Sequence, residues 1–146
     1  MGRVFFNTRT HIQNITANHT ALPSDSNTTF IILPAATTLL TLPTPTLAGE
    51  GWNCKVILNS DSGFGGDGVM DQIVNIGLGD FNTVGLVLAT DTAAGDQAVD
   101  GDDFIACTVA ASPGDTFDIM TDGTTWFVHG LVADTDVATF AASAAS

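Results

Sequence analysis

Positive charge is nearly missing from this chain. Three of its 146 residues are basic, Arg3, Arg9 and Lys55, against sixteen acids, fifteen of them aspartate, for a net charge of −13. Such a surface repels phosphate backbones and anionic lipid, so neither nucleic acid nor a membrane is an expected partner. Tyrosine is absent and glutamate occurs once, at Glu50, an unusual inventory for a carbohydrate-cleaving cleft. No apolar run approaches the roughly 18 residues that a membrane span needs. The opening MGRVFFNTRT has no apolar stretch long enough for a secretory signal, and Phe6 stands where myristoylation wants Ser or Thr. The two cysteines, Cys54 and Cys107, each sit in a strand-like run. They are expected to be small core hydrophobes in a reducing compartment. A disulfide would need them on facing strands, which spacing alone leaves open.

The apolar content is what remains. Hydrophobic residues make up 45% of the chain and charged ones only 13%, so mean hydropathy is positive. A monomer of this make-up exposes much apolar surface, and assembly with further copies is the expected way to cover it. The length is that of one domain.

Charge divides the chain unevenly. Residues 1–27 carry two Arg against one Asp, net +1, and residues 28–146 carry fifteen acids against one Lys, net −14. We read 1–27, rich in Asn, Thr and Ser, as an extended N-terminal arm, and 28–146 as a β-rich body. Arg3, Phe5, Phe6 and Arg9 suit docking on an acidic or apolar partner. The body reads as strands with turn punctuation: Thr28–Leu33, Thr37–Leu42, Trp52–Leu58, Gln72–Gly77, Val84–Ala89, Phe104–Val109, Thr116–Thr121 and Thr125–Leu131, with a weaker one over Val137–Phe140. Helical periodicity is missing. The expected fold is all-β, an antiparallel sandwich or barrel. Pro34 and Pro43 close two apolar runs that read as one hairpin. Trp52, Cys54, Val56 and Leu58 alternate with Asn53, Lys55 and Ile57, as one buried face requires.

Residues 121–130, TDGTTWFVHG, gather Asp, Trp and His. Asp-Gly between alternating runs is a strong hairpin signal. A two-residue loop at Asp122-Gly123 sets Ile119 opposite Trp126 and Phe117 opposite Val128, all apolar. Trp126 is then a core residue. The other face carries Thr116, Asp118, Met120, Thr125, Phe127, His129 and Leu131. Three of these seven are apolar, so Met120, Phe127, His129 and Leu131 are the expected subunit interface.

Other clusters carry weaker chemistry. Asp61, Asp67 and Asp71, in a glycine-rich stretch, offer hard oxygen ligands for Ca²⁺, but the spacing is not that of an EF-hand. Asp100, Asp102 and Asp103 are similar; solvated turns are the simpler reading of both. GFGGDG (63–68) precedes a strand-like run and lacks a following Lys, so it is no phosphate loop. No G-x-S-x-G occurs, and His11 and His19 lie in the polar N-terminal stretch. Asn14, Asn18 and Asn27 begin glycosylation sequons that read as coincidence in a Thr-rich segment. No cofactor, resident metal or enzymatic activity is expected.

Two segments carry a family resemblance. TTLLTLPTPTLAGEGWNCKVIL (37–58) resembles a Thr-Leu-Thr-Leu-Pro-x-Pro…Gly…Phe-x-(Val/Ile)-Leu pattern. PGDTFDIMTDGTTWFVHGLV (113–132) resembles Gly-Asp-x-(apolar)…Asp-Gly-x-x-Trp-(Tyr/Phe)-Val-x-Gly, with Phe127 where Tyr is commoner. Both patterns recur in capsid decoration (cement) proteins of tailed bacteriophages and in related head- and tail-fibre domains. The segments cover about a third of the chain; residues 59–112 resemble nothing we can name. The resemblance implies a homotrimeric, non-catalytic virion protein on the capsid exterior, bound to the major capsid protein. The alternatives are a fibre or adhesin module that binds a host receptor, and a Ca²⁺-dependent lectin or enzyme using the Asp-Gly loops.

Overall fold

The computed structural model describes residues 10–33, 38–59, 71–76, 82–89, 97–100, 104–107, 112–133 and 138–141. Strands dominate them. These are β1 (His11–Ile15), β2 (His19–Thr20), β3 (Thr28–Ile32), β4 (Leu40–Thr41), β5 (Asn53–Leu58) and β6 (Asp71–Asn75). There follow β7 (Asn82–Ala89), β8 (Gln97–Asp100), β9 (Phe104–Cys107), β10 (Thr116–Thr121), β11 (Thr125–Val132) and β12 (Ala138–Ala141). Besides a 3-10 turn at Pro23–Asp25, one α-helical turn, α1 (Pro45–Ala48), is started by Pro45 and by the Thr44 hydroxyl, which accepts from the Leu47 N–H at 3.3 Å. The expected all-β class holds, and each strand expected in the body has a counterpart.

The strands form a seven-stranded sheet in the order β1-β3-β5-β10-β11-β7-β8 and a five-stranded sheet in the order β12-β9-β6-β4-β2. From β1 to β6 the chain alternates between them. Strands two apart in sequence therefore lie side by side and parallel: β1 with β3, β3 with β5, β2 with β4, β4 with β6. β7 and β11 are parallel too. This corrects the expected antiparallel arrangement: both sheets are mixed. A parallel pair needs a crossover, and here a strand of the other sheet provides it. It also removes the hairpin expected between the two Leu-Pro runs, because β3 and β4 belong to different sheets.

The N-terminal boundary changes as well. Residues 11–15 pair with β3, residues 19–20 pair with β4, and Ile15 and Ala21 are buried in the core. Most of the expected arm from residue 10 onward is thus part of the body, and residues 1–9 lie outside the described residues. β1, β2 and β8 had no counterpart among the expected strands.

One apolar core draws on both sheets. Phe30, Val56, Phe117 and Trp126 come from the larger sheet, and Leu40, Val74 and Ile105 from the smaller. Trp52 packs edge-on against Trp126, with ring centres 5.5 Å apart and planes at 79°. The Trp52 indole N–H donates to the Leu22 carbonyl at 3.4 Å, tying the N-terminal segment to the core. Asp115, buried at a turn, makes a second tie. Its carboxylate accepts from the backbone N–H groups of Ser112 and Ala133, both at 2.8 Å, while its carbonyl accepts from Leu58 N–H at 2.9 Å.

Glycine makes room for this core on β11. Gly130 lies between Phe117 of β10 and Val87 of β7. A Cβ there would meet Val87 at 2.8 Å and Phe117 at 3.0 Å. Gly130→Ala is expected to lower unfolding stability by about 1–3 kcal/mol, the usual cost of overpacking. Urea unfolding would check this; an unchanged midpoint would mean that the three strands have slack.

Candidate functional site

β10 and β11 are joined at TDGT, and the register there differs from expectation. Thr121 pairs with Trp126, Ile119 with Val128 and Phe117 with Gly130. The loop is two residues longer than a bare Asp-Gly turn, and the pairing slips by two. Side chains alternate with a period of two, so an even slip leaves every residue on its expected face. Phe117, Ile119, Trp126 and Val128 are at most 1% exposed. Thr116, Asp118, Met120, Thr125, Phe127, His129 and Leu131 point outward.

Asp122 builds that loop rather than a site. Its carboxylate accepts from Thr125 N–H at 2.7 Å, Thr124 N–H at 2.9 Å and the Thr124 hydroxyl at 2.8 Å. Gly123, at φ 93°, supplies the left-handed step.

The outer face of the larger sheet is the notable surface. Met120 sits beside Phe127 in the ladder, Asp118 beside His129, and Thr116 beside Leu131. β7 continues the pattern, setting Val84 against Phe127, Leu86 against His129 and Leu88 against Leu131. Val84, Leu86, Leu88, Met120 and Leu131 are between 41% and 53% exposed, and Ile12 on β1 is 70% exposed. Contiguous exposed apolar patches of this kind are where interaction sites are found.

The four residues expected at an interface are therefore brought together on this face. Sequence reading missed Val84, Leu86 and Leu88. NTVGLVLA is apolar at nearly every position, so alternation does not say which face is outward. Gly85 is the available clue: it faces inward, where a Cβ would collide with the Val128 carbonyl, which leaves the large residues at 84, 86 and 88 outside.

Among its described side chains, charge on this face is balanced, while the register sets Asp100 of β8 beside Val84. Among the described outward side chains of β1, β3, β5, β7, β10 and β11, Asp118 is the one acid, and Lys55 lies 3.0 Å from it. Both are about half exposed, so the pair adds only about 0–1 kcal/mol. Its effect is neutrality on a chain whose net charge is −13.

Chemistry is sparse elsewhere. A polar depression of about 220 Å³ runs along Asn27, Thr29, Asn53, Lys55 and Asp118. Cys54 lines it from the buried side. Burial, and then the negative charge of Asp118, push the Cys54 thiol well above its usual range, the opposite of an activated nucleophile. Groups of three metal-ligating side chains do not occur among the described residues. Asp61, Asp67, Asp102, Asp103 and the side chains of Asp71 and Asp100 lie outside them, as do Arg3, Phe5, Phe6 and Arg9.

Two measurements follow. Hydrogen bonds from Thr125 and then Thr124 hold the Asp122 carboxyl below its usual range. A depressed carboxyl stabilises the fold above its unfolded-state pKa, and that contribution is lost as pH falls through the lower folded-state value. The Tm difference between wild type and Asp122→Ala is thus expected to be full at neutral pH and to shrink below about pH 3.9; a gap that persists to pH 2 would exclude the carboxylate's charge as its source. Native Cys54 is expected to alkylate at least about a hundredfold more slowly than in urea, read by mass spectrometry of its peptide; equal rates would contradict its burial. Compared with known proteins, this chain matches no family model, no curated protein and no solved structure.

Proposed function

We propose that this chain is a structural protein of a tailed-phage virion, a capsid decoration protein built as a β-sandwich and acting as a homotrimer on the outside of the head. The observation that carries the reading is the neutral, apolar outer face formed by β7, β11 and β10. A sheet face with Leu86, Leu88, Met120 and Leu131 in water is costly for a free monomer and useful for a subunit of an assembly. The single core drawn from both sheets supports the sandwich. The two segments that carry the family resemblance also support the reading, because they adjoin in space: β5 of the first pairs with β10 of the second.

In this reading the outer face seats against neighbouring copies, and Met120, Phe127, His129 and Leu131 make the subunit contact together with Val84, Leu86 and Leu88. Residues 1–9, with Arg3, Phe5, Phe6 and Arg9, dock on the major capsid protein. Threefold symmetry matches the three-fold positions of an icosahedral shell. A partner that binds only the assembled shell stabilises it by mass action, through contacts alone.

Aspartates on the face provide the test. The double variant Leu86→Asp/Leu131→Asp is expected to fold, to fall to monomer mass in ultracentrifugation, and to lose at least about tenfold in capsid affinity, equivalent to about 1.4 kcal/mol. Wild-type mass and wild-type capsid occupancy in that variant would sink the proposal.

A further inference from the structure

Among the described residues the larger sheet ends at β1, which pairs with β3 and has no strand on its other side. The Leu33 N–H donates to the Ile15 carbonyl at 3.0 Å. In a parallel ladder of this register, His11, Gln13 and Ile15 turn both backbone groups toward β3. Ile12 and Asn14 therefore turn their N–H and C=O groups to the open side. Both residues are exposed.

Open edges are normally blunted by charge, proline, a bulge or shortness. The other sheet ends follow this rule. β2 has two residues; β8 contains Asp100 and is flanked by Asp96, Asp102 and Asp103; β12 follows Asp134 and Asp136. β1 has five residues, no proline and no lysine, and its register with β3 is unbroken. No acid occurs within it or within five residues on either side; the first in the chain is Asp25. Copies of a chain with net charge −13 repel one another. β1 itself brings no acid to such a contact; Asp25 lies beside the strand, lining a depression with His11, Ile12 and Gln13.

The outward groups also suit a second copy by symmetry. Ile12 and Asn14 lie one residue to either side of Gln13. An antiparallel partner related by a two-fold axis at Gln13 sets Ile12 opposite Asn14 of the second copy, and the reverse. All four outward N–H groups then find carbonyls in hydrogen-bonded pairs. We propose that β1 pairs in this way with β1 of a second copy, joining two seven-stranded sheets into one. The contact is independent of the outer face: if that face makes trimers, this edge links one trimer to the next.

Cross-linking in the full chain tests the register. Gln13 would face Gln13 of the second copy in a non-hydrogen-bonded pair, with Cα atoms about 4.5 Å apart, within disulfide reach. Gln13→Cys is expected to give a covalent dimer on mild oxidation. Adding Ile12→Pro removes an outward donor but no bond to β3, and should cut the dimer yield at least tenfold. Ile12→Lys, which keeps the backbone donor and places like charges near the axis, should also cut it; this covers a proline variant that fails to fold. Leu86→Asp/Leu131→Asp should leave the cross-link intact, so failure of the outer-face reading is seen separately. The proposal is overturned if Gln13→Cys does not cross-link, or if it cross-links equally with Ile12→Pro and Ile12→Lys. A several-fold rise on deleting residues 1–9 would also overturn it, by making the chain's own N-terminal segment the occupant of the edge.

Discussion

Phe117 and Ile119 on β10, and Trp126 and Val128 on β11, must stay out of water on one side of two neighbouring strands, and the rest of the larger sheet is arranged around that. Burying each such side chain contributes roughly 1.5–3 kcal/mol. The half-exposed Lys55–Asp118 pair is worth about 0–1 kcal/mol, so packing and not charge sets the register. Room for the buried set comes from glycine. Gly130 stands between Phe117 and Val87, and Gly85 lies beside Val128. Because side chains alternate, fixing the inner face also fixes the outer one. Met120, Phe127 and Leu131 are outside because Ile119, Trp126 and Val128 are inside.

That dependence explains what could be read from the sequence. The partition of residues 116–131 into two faces survives an error of two in the hairpin register, since an even slip changes partners and not faces. The loop was misjudged because Asp-Gly suggests a two-residue turn, whereas the Asp122 carboxylate bonds onward to Thr124 and Thr125 and makes a longer loop the stable one. The parallel pairing was not legible. β3 and β5 touch across a gap of twenty residues, and no local signal marks the neighbour of a parallel strand. β1 was missed for a different reason. HIQNI looks polar and loop-like, and its strand conformation is imposed by the ladder with β3 and by burial of Ile15.

Aspartate dominates the charge, yet three of the four aspartates with described side-chain contacts behave as backbone fasteners; Asp118, paired with Lys55, is the exception. Asp25 accepts from the Leu22 N–H, Asp115 from Ser112 and Ala133, and Asp122 from Thr124 and Thr125. A short carboxylate that satisfies turn N–H groups is well suited to a chain with this many tight connections. The consequence is spatial. Acids used in this way sit at turns and strand ends, and among the described outward side chains of the larger sheet the one acid, Asp118, is paired with Lys55.

The open edge at β1 follows from the same winding that hid the parallel pairs. The chain starts at one border of each sheet and moves inward with every pass: β1, β3, β5 in the larger, β2, β4, β6 in the smaller. Each new strand covers the one laid down two steps before, on the side away from the start. The first strand of each sheet is therefore never covered from behind by its successors. In the smaller sheet that strand is only two residues long, which leaves little backbone to pair. In the larger sheet it is five residues long and free of acid, and the backbone groups of Ile12 and Asn14 face outward with the spacing that a two-fold partner requires. Apolar surface on the outer face and, among the described residues, unpaired backbone at its border are separate results of one topology.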